Sequence, residues 1–157
     1  MTKSTPTEVA VQGTAIAIDG RAILFTGAPG VGKSDLALRC ISRGAAFIAD
    51  DLVWASMRAS QIFVRAPLPL CHRIAIGEIG LVHQQQSDAC LALALVIELL
   101  PAKVQTNGAQ NNLRRFGPRN IGSYGPIGGL FCPKLTLDPH SPSAEIKVRI
   151  ALERWGH

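Results

Sequence analysis

The sequence predicts an α/β fold with a mixed, partly antiparallel sheet, and three local patterns carry that expectation. The first is a strand, loop and helix in succession. The apolar run Ala22-Ile23-Leu24-Phe25-Thr26 enters Gly27-Ala28-Pro29-Gly30-Val31-Gly32-Lys33-Ser34, and apolar residues at helical spacing follow from Asp35 to Ile41. The second is a hairpin leading into that unit: Val9 to Ile18 alternates as a strand, and Asp19-Gly20 is a tight-turn signal. The third is the strand Ala45 to Ala49, which ends in the acidic pair Asp50-Asp51.

The remaining elements follow in chain order. The first helix runs from Ser34 to about Ser42, and Arg43-Gly44 closes it. Leu52 to Met57 and Ile62 to Arg65 form a second hairpin, and Pro67 and Pro69 interrupt regular structure after it. Ile74 to Val82 reads as a strand with a glycine bend at Gly77 or Gly80. Leu91 to Leu99 is a buried strand by composition, although periodicity alone also allows a helix. Residues 101–129, rich in Gly, Asn, Pro and Arg, read as a long, mobile basic loop. Leu135 to Leu137 is a short strand. Ser141 then caps a last helix with Pro142 in its first turn, and Val148, Ala151, Leu152 and Trp155 share its inner face.

Composition limits the class. A chain of 157 residues, 47% hydrophobic and 17% charged, is expected to fold as one domain, residues 1–157. No apolar run is long enough to span a bilayer, and the polar start lacks a signal-peptide core, so a cytoplasmic location is the expectation. Cys40, Cys71, Cys90 and Cys132 have no metal-ligand spacing and read as buried thiols. His72, His83, His140 and His157 form no sequence cluster. The net charge of +5 comes entirely from one stretch: Lys103, Arg114, Arg115, Arg119 and Lys134 lie in a segment without a single Asp or Glu. Such a patch suits an anionic partner, or simply a solvated loop. With few aromatics to stack bases, nucleic acid is not expected.

The glycine-rich stretch fits G-x-x-x-x-G-K-[ST], a phosphate-binding loop. Glycines let backbone N–H groups turn toward phosphate oxygens. Lys33 is placed to reach the β- and γ-phosphates, and the Ser34 hydroxyl to ligate Mg²⁺. Phosphoryl transfer also needs a carboxylate near the metal and a group that orients the nucleophile. Asp50-Asp51, seventeen residues beyond Lys33, supplies the candidates. Adjacent residues on a strand face opposite ways, so one acid can serve the metal and the other the acceptor hydroxyl. Asp35 reads instead as a helix first-turn acid, and Glu78 is a weaker candidate.

Together, Gly27 to Leu38, Arg43-Gly44 and Ala49-Asp50-Asp51-Leu52-Val53 resemble HPr kinase/phosphorylase, most closely the short alphaproteobacterial form with the catalytic domain alone. Pro133 to Pro139, Lys147-Val148 and Ala151-Leu152 are similar to that subgroup too. The resemblance implies a fold like the catalytic domain of phosphoenolpyruvate carboxykinase. It implies an ATP- and Mg²⁺-dependent serine kinase acting on a small HPr-type phosphocarrier in carbon and nitrogen regulation, in a homo-oligomer that is often hexameric. Gly27, Ala28, Pro29, Gly30, Val31, Gly32, Lys33 and Ser34 would hold the nucleotide. Asp50 would be the general base, with Lys33 beside it in catalysis, and Ser34 and Asp51 would serve the metal.

Two positions depart from the family pattern. Its His-Gly reads Gln12-Gly13, and its Glu-Val/Ile-Arg-Gly-x-Gly falls on Ala75 to Gly80. Weak or absent phosphate-driven reversal is therefore expected, with Arg114, Arg115 or Arg119 as substitute anion contacts. A nucleotide-binding signalling module with little catalysis, and a small-molecule kinase of the nucleoside-monophosphate type, are the competing readings.

Overall fold

The computed structural model describes residues 8–105, 119–121 and 132–156. Its strands are β1 (Val9–Gln12), β2 (Thr14–Ile18), β3 (Arg21–Thr26), β4 (Ala46–Ala49), β5 (Leu52–Arg58), β6 (Gln61–Arg65), β7 (Arg73–Ile76), β8 (Gly80–His83), β9 (Leu91–Leu99), β10 (Arg119–Ile121) and β11 (Cys132–Leu137). Its helices are α1 (Lys33–Ile41), α2 (Ala102–Gln105) and α3 (Ala144–Trp155).

One mixed sheet carries the order β1-β5-β6-β9-β3-β2-β4, with β11 against β9 and β10 against β11. β9 is the hinge of this sheet. Its first residues pair antiparallel with β6, and its later ones run parallel to both β3 and β11. The buried run from Leu91 to Leu99 is thus a strand, and its apolar character, unbroken as far as Ile97, fits burial on both faces.

The expected strand Val9 to Ile18 is in fact two. β1 pairs with β5, whereas β2 pairs with β3 and β4, and Gly13 is the break between them. Gly13 has φ 154°, and a Cβ there would stand 2.7 Å from both Leu24 Cδ1 and the Phe25 carbonyl oxygen. The chain from β4 to β5 makes the same crossing at Asp50-Asp51, and Gly13 N–H donates to the Asp51 carbonyl at 3.0 Å. Two chain segments therefore turn one corner together.

Alternation sorts the core into two layers. Ile16, Ile23, Phe25, Leu95 and Ile97 pack with Leu36 and Cys40 of α1 and with Val148 and Leu152 of α3. Their neighbours Ala15, Ala17, Ala22, Leu24 and Val96 face Ile48, Val53, Ile62 and Val64 inside the curl of the sheet. Small residues on β2 and β3 leave room for the sheet to fold back on itself.

Several expectations change in detail. Ile74 to Val82 is the hairpin β7–β8, not a bent strand. Closing it stacks the His72 and His83 rings, 6.1 Å between centroids, so two histidines distant in sequence become neighbours. The last helix starts at Ala144 with Ser143 as its N-cap, two residues after the expected cap Ser141. The strand at Leu135 begins three residues earlier, at Cys132. Within 101–129, Ala102–Gln105 is helical and Arg119–Ile121 pairs with β11, so the described parts are not loop throughout. The rest of that segment, Arg114 and Arg115 included, lies outside the described residues. Cys40 and Cys132 are buried, and burial raises both thiols to about 11, but Cys71 is exposed and Cys90 half-buried. No helix among the described residues is long and apolar enough to cross a membrane.

Arg39 of α1 fixes the start of α3. Its guanidinium donates to the carbonyls of Pro139 and Ser141 at 3.0 Å each and pairs with Glu145 at 2.6 Å. Glu145's own backbone amide, then the charges of Arg39 and Arg43, hold its carboxyl below the ordinary value of 4.5, against the opposing effect of burial. A carboxyl depressed on folding stabilises the fold above its unfolded-state value and loses that contribution as pH falls through the folded one. Urea unfolding should therefore show wild type more stable than Glu145→Gln near neutrality, with the gap closing as pH drops below the ordinary carboxylate range. A gap independent of pH would contradict this.

Candidate active site: the phosphate loop and its acidic partner

The loop leaves β3 at Gly27, where φ is 146° and a Cβ would come 2.9 Å from the Leu99 carbonyl oxygen and 3.0 Å from Val31 Cγ1. Glycine is thus required where the loop crosses the end of β9. Val31 is buried and anchors the loop, and its N–H donates to the Ala28 carbonyl at 3.2 Å. Ala28, Pro29 and Gly30 are exposed. Gly32 is the N-cap of α1 in the left-handed region, at φ 112°, and no side chain caps the helix. The first amides of a helix lack intrahelical acceptors, and the helix dipole favours an anion there. The Lys33 ammonium bridges the Gly27 and Ala28 carbonyls at 3.0 Å each, across the loop that would hold the phosphates. A mostly apolar cleft of about 540 Å³ adjoins the loop, lined by Gly27 to Val31 and by Glu98 to Pro101.

Asp50 stands at the centre of the site. Its Oδ1 accepts from the Ser34 hydroxyl at 2.7 Å and from the Thr14 hydroxyl at 2.9 Å. Its Oδ2 accepts from the Ala75 backbone N–H at 3.1 Å. Four elements thus meet on one carboxylate: β2, α1, the turn after β4 and the hairpin β7–β8.

The donor set suits a magnesium ion. A hydroxyl carries one hydrogen and two lone pairs. Ser34 gives its hydrogen to Asp50, which leaves its oxygen able to ligate a cation. Hydroxyl and carboxylate oxygens are the hard ligands Mg²⁺ takes, with phosphate oxygens and water completing the shell. Asp51 is exposed with φ 70°, in the left-handed region that Asp tolerates better than most residues. Of the acidic pair it is Asp50, not Asp51, that contacts Ser34.

Other expected residues are placed differently. Gln12 is exposed on β1 opposite Leu52. Asp35 is exposed in the first turn of α1, and Glu78 in the turn between β7 and β8. Lys134 of the basic stretch pairs with Glu98 at 2.7 Å. Arg119 lies opposite Lys134 in the β10–β11 ladder. Two further residues bond Asp50 that the sequence does not mark as site residues, Thr14 and Ala75. Thr14 had a signal, a polar residue opening the apolar run to Ile18, because a buried hydroxyl must find a partner. Ala75 had none, since it contributes only a backbone amide.

A phosphate loop between strand and helix, a facing carboxylate, and a curled mixed sheet are the architecture of a P-loop α/β domain. The comparisons with known proteins agree. The family model described as HPr Serine kinase C-terminal domain matches residues 3–110, and the chain belongs to that family. The HPr kinase/phosphorylase of Mycoplasmopsis pulmonis is 35% identical over 75 residues, 48% of this chain and 24% of the relative. That of Lactiplantibacillus plantarum is 41% identical over 73 residues, 46% of this chain and 23% of the relative. The matched region thus spans about a quarter of each relative's length. The solved Hpr(Ser) kinase/phosphatase of Coxiella burnetii superposes with a TM-score of 0.74 over 93% of this chain and 89% of its own, at 18% identity, and so shares the fold.

Proposed function

We propose that this domain is an ATP- and Mg²⁺-dependent protein serine kinase whose acceptor is a small HPr-type phosphocarrier. The observation that carries the reading is the contact of Ser34 with Asp50 at the mouth of the phosphate loop. Family membership and the names of the relatives support the acceptor class. In this reading the loop amides and Lys33 hold the phosphates, with Lys33 exchanging the Gly27 and Ala28 carbonyls for phosphate oxygens. Bound Mg²⁺ would neutralise phosphate charge, and Ser34 with Asp51 would hold it. Asp50 accepts the proton of the acceptor serine, whose hydroxyl is otherwise a poor nucleophile. Asp51, which is exposed, is assigned to the metal. Most of the rate gain comes from alignment and fixed charge, since phosphoryl transfer needs little covalent help.

We further infer a cytoplasmic homo-oligomer. Ile146 and Ile150, 43% and 48% exposed one turn apart on α3, offer an apolar strip that a second copy could cover. Arg114, Arg115 and Arg119 remain candidate anion contacts.

Purified protein incubated with labelled ATP, Mg²⁺ and the host's own phosphocarrier should yield a phosphoserine on the carrier. ATP binding without transfer would favour a signalling module. Transfer to a nucleoside monophosphate would refute the protein-kinase reading. Inorganic phosphate added to the phosphorylated carrier should release little or none of the label.

A further inference from the structure

We propose that Thr14 is a positioning residue that divides the two oxygens of Asp50 between different tasks. The idea rests on the phosphoryl-transfer reading above and adds to it which oxygen takes the proton. Thr14 is fully buried, at 0% exposure, and its hydroxyl hydrogen goes to Asp50 Oδ1. A carboxylate has about four acceptor sites, two on each oxygen. Among the described residues, Ser34 and Thr14 take both sites on Oδ1, and the Ala75 N–H takes one on Oδ2. One acceptor site remains, and it is on Oδ2.

Thr14 is well suited to hold this arrangement. Its backbone is fixed in β2 opposite Phe25, immediately after the corner at Gly13, and a β-branched side chain has few rotamers to choose from. Without its hydroxyl the carboxylate is held on the Oδ1 side by Ser34 alone, a residue that must also serve the cation. With it, Oδ1 stays with Ser34, and Oδ2 keeps one acceptor site open beside the bond from the Ala75 N–H. The acceptor serine then delivers its proton to Oδ2 as its O–H bond breaks. Its oxygen forms the new bond to the γ-phosphorus, and the bond from that phosphorus to the bridging oxygen breaks with its electron pair leaving on ADP.

The test compares Thr14→Val with Thr14→Ser. Thr14→Val should lower kcat by about 10- to 100-fold, the scale of a modest misalignment, with the KM for ATP unchanged, and Thr14→Ser should restore most of the rate. A second measurement needs no nucleotide: a double-mutant cycle of Thr14→Val and Asp50→Ala on the urea unfolding midpoint, expected to be non-additive. An unchanged kcat in Thr14→Val, equal losses in Val and Ser, or an additive cycle would each overturn the proposal. If the unsubstituted protein transfers no phosphate, the kinase reading fails by itself, and the proton assignment with it. The cycle still decides whether Thr14 holds Asp50.

Discussion

Asp50→Asn should reduce phosphoryl transfer to the carrier by about 10³-fold, within the range set by loss of a general base, while ATP binding persists. The substitution preserves size but cannot preserve the hydrogen-bond pattern. Asp50 accepts on both oxygens, from Ser34 and Thr14 on one side and from the Ala75 N–H on the other. An asparagine that keeps its oxygen toward the two hydroxyls turns its NH₂ against the Ala75 N–H, donor against donor. The flipped amide presents donors to two hydroxyls that must then reorient. Neither form can take a proton from the acceptor serine. Asp51→Asn serves as the contrast. Its side chain is exposed and its role is assigned to the metal, so it should raise the Mg²⁺ concentration needed and cost far less kcat. The two variants are compared by labelled-phosphate transfer across a Mg²⁺ titration, with nucleotide affinity measured separately. A larger kcat loss in Asp51→Asn than in Asp50→Asn would reverse the assignment.

Gly13→Ala should destabilise the fold by about 3 kcal/mol, the upper range for forcing a methyl group into filled space. Its Cβ would meet Leu24 Cδ1 and the Phe25 carbonyl oxygen, each at 2.7 Å, and the second is backbone that cannot step aside. The positive φ adds to the strain. Gly20→Ala is the control: φ is +74° there, but nothing lies within 4 Å, so about 1 kcal/mol is expected from the backbone alone. Urea midpoints of the two variants separate crowding from conformational preference. Equal losses would show that the corner is not closely packed. Because Gly13 N–H bonds the Asp51 carbonyl and Thr14 follows it, Gly13→Ala should also lower the transfer rate of the fraction that remains folded.

Much of the site could be read before folding because its parts are short-range. The loop from Gly27 to Ser34 is eight consecutive residues whose turn chemistry is written locally. The β2–β3 hairpin announces itself at Asp19-Gly20, and strand β4 runs directly into Asp50. What could not be read were contacts between distant positions. Which acid meets Ser34 depends on how the chain turns between β4 and β5, and adjacent acids look equivalent in a one-dimensional pattern. The Ala75 amide is invisible to any reading of side chains. The His72–His83 stack and the division of Val9 to Ile18 have the same origin, since each depends on strands pairing across the sheet.

The amino-acid order alone therefore established a phosphate loop on an antiparallel hairpin with an acidic pair downstream, because backbone geometry there follows from neighbouring residues. Folding decided which carboxylate meets Ser34 and how it is held. Thr14, Ser34, Asp50 and Ala75 lie on four separate elements, and only tertiary packing brings them to one point.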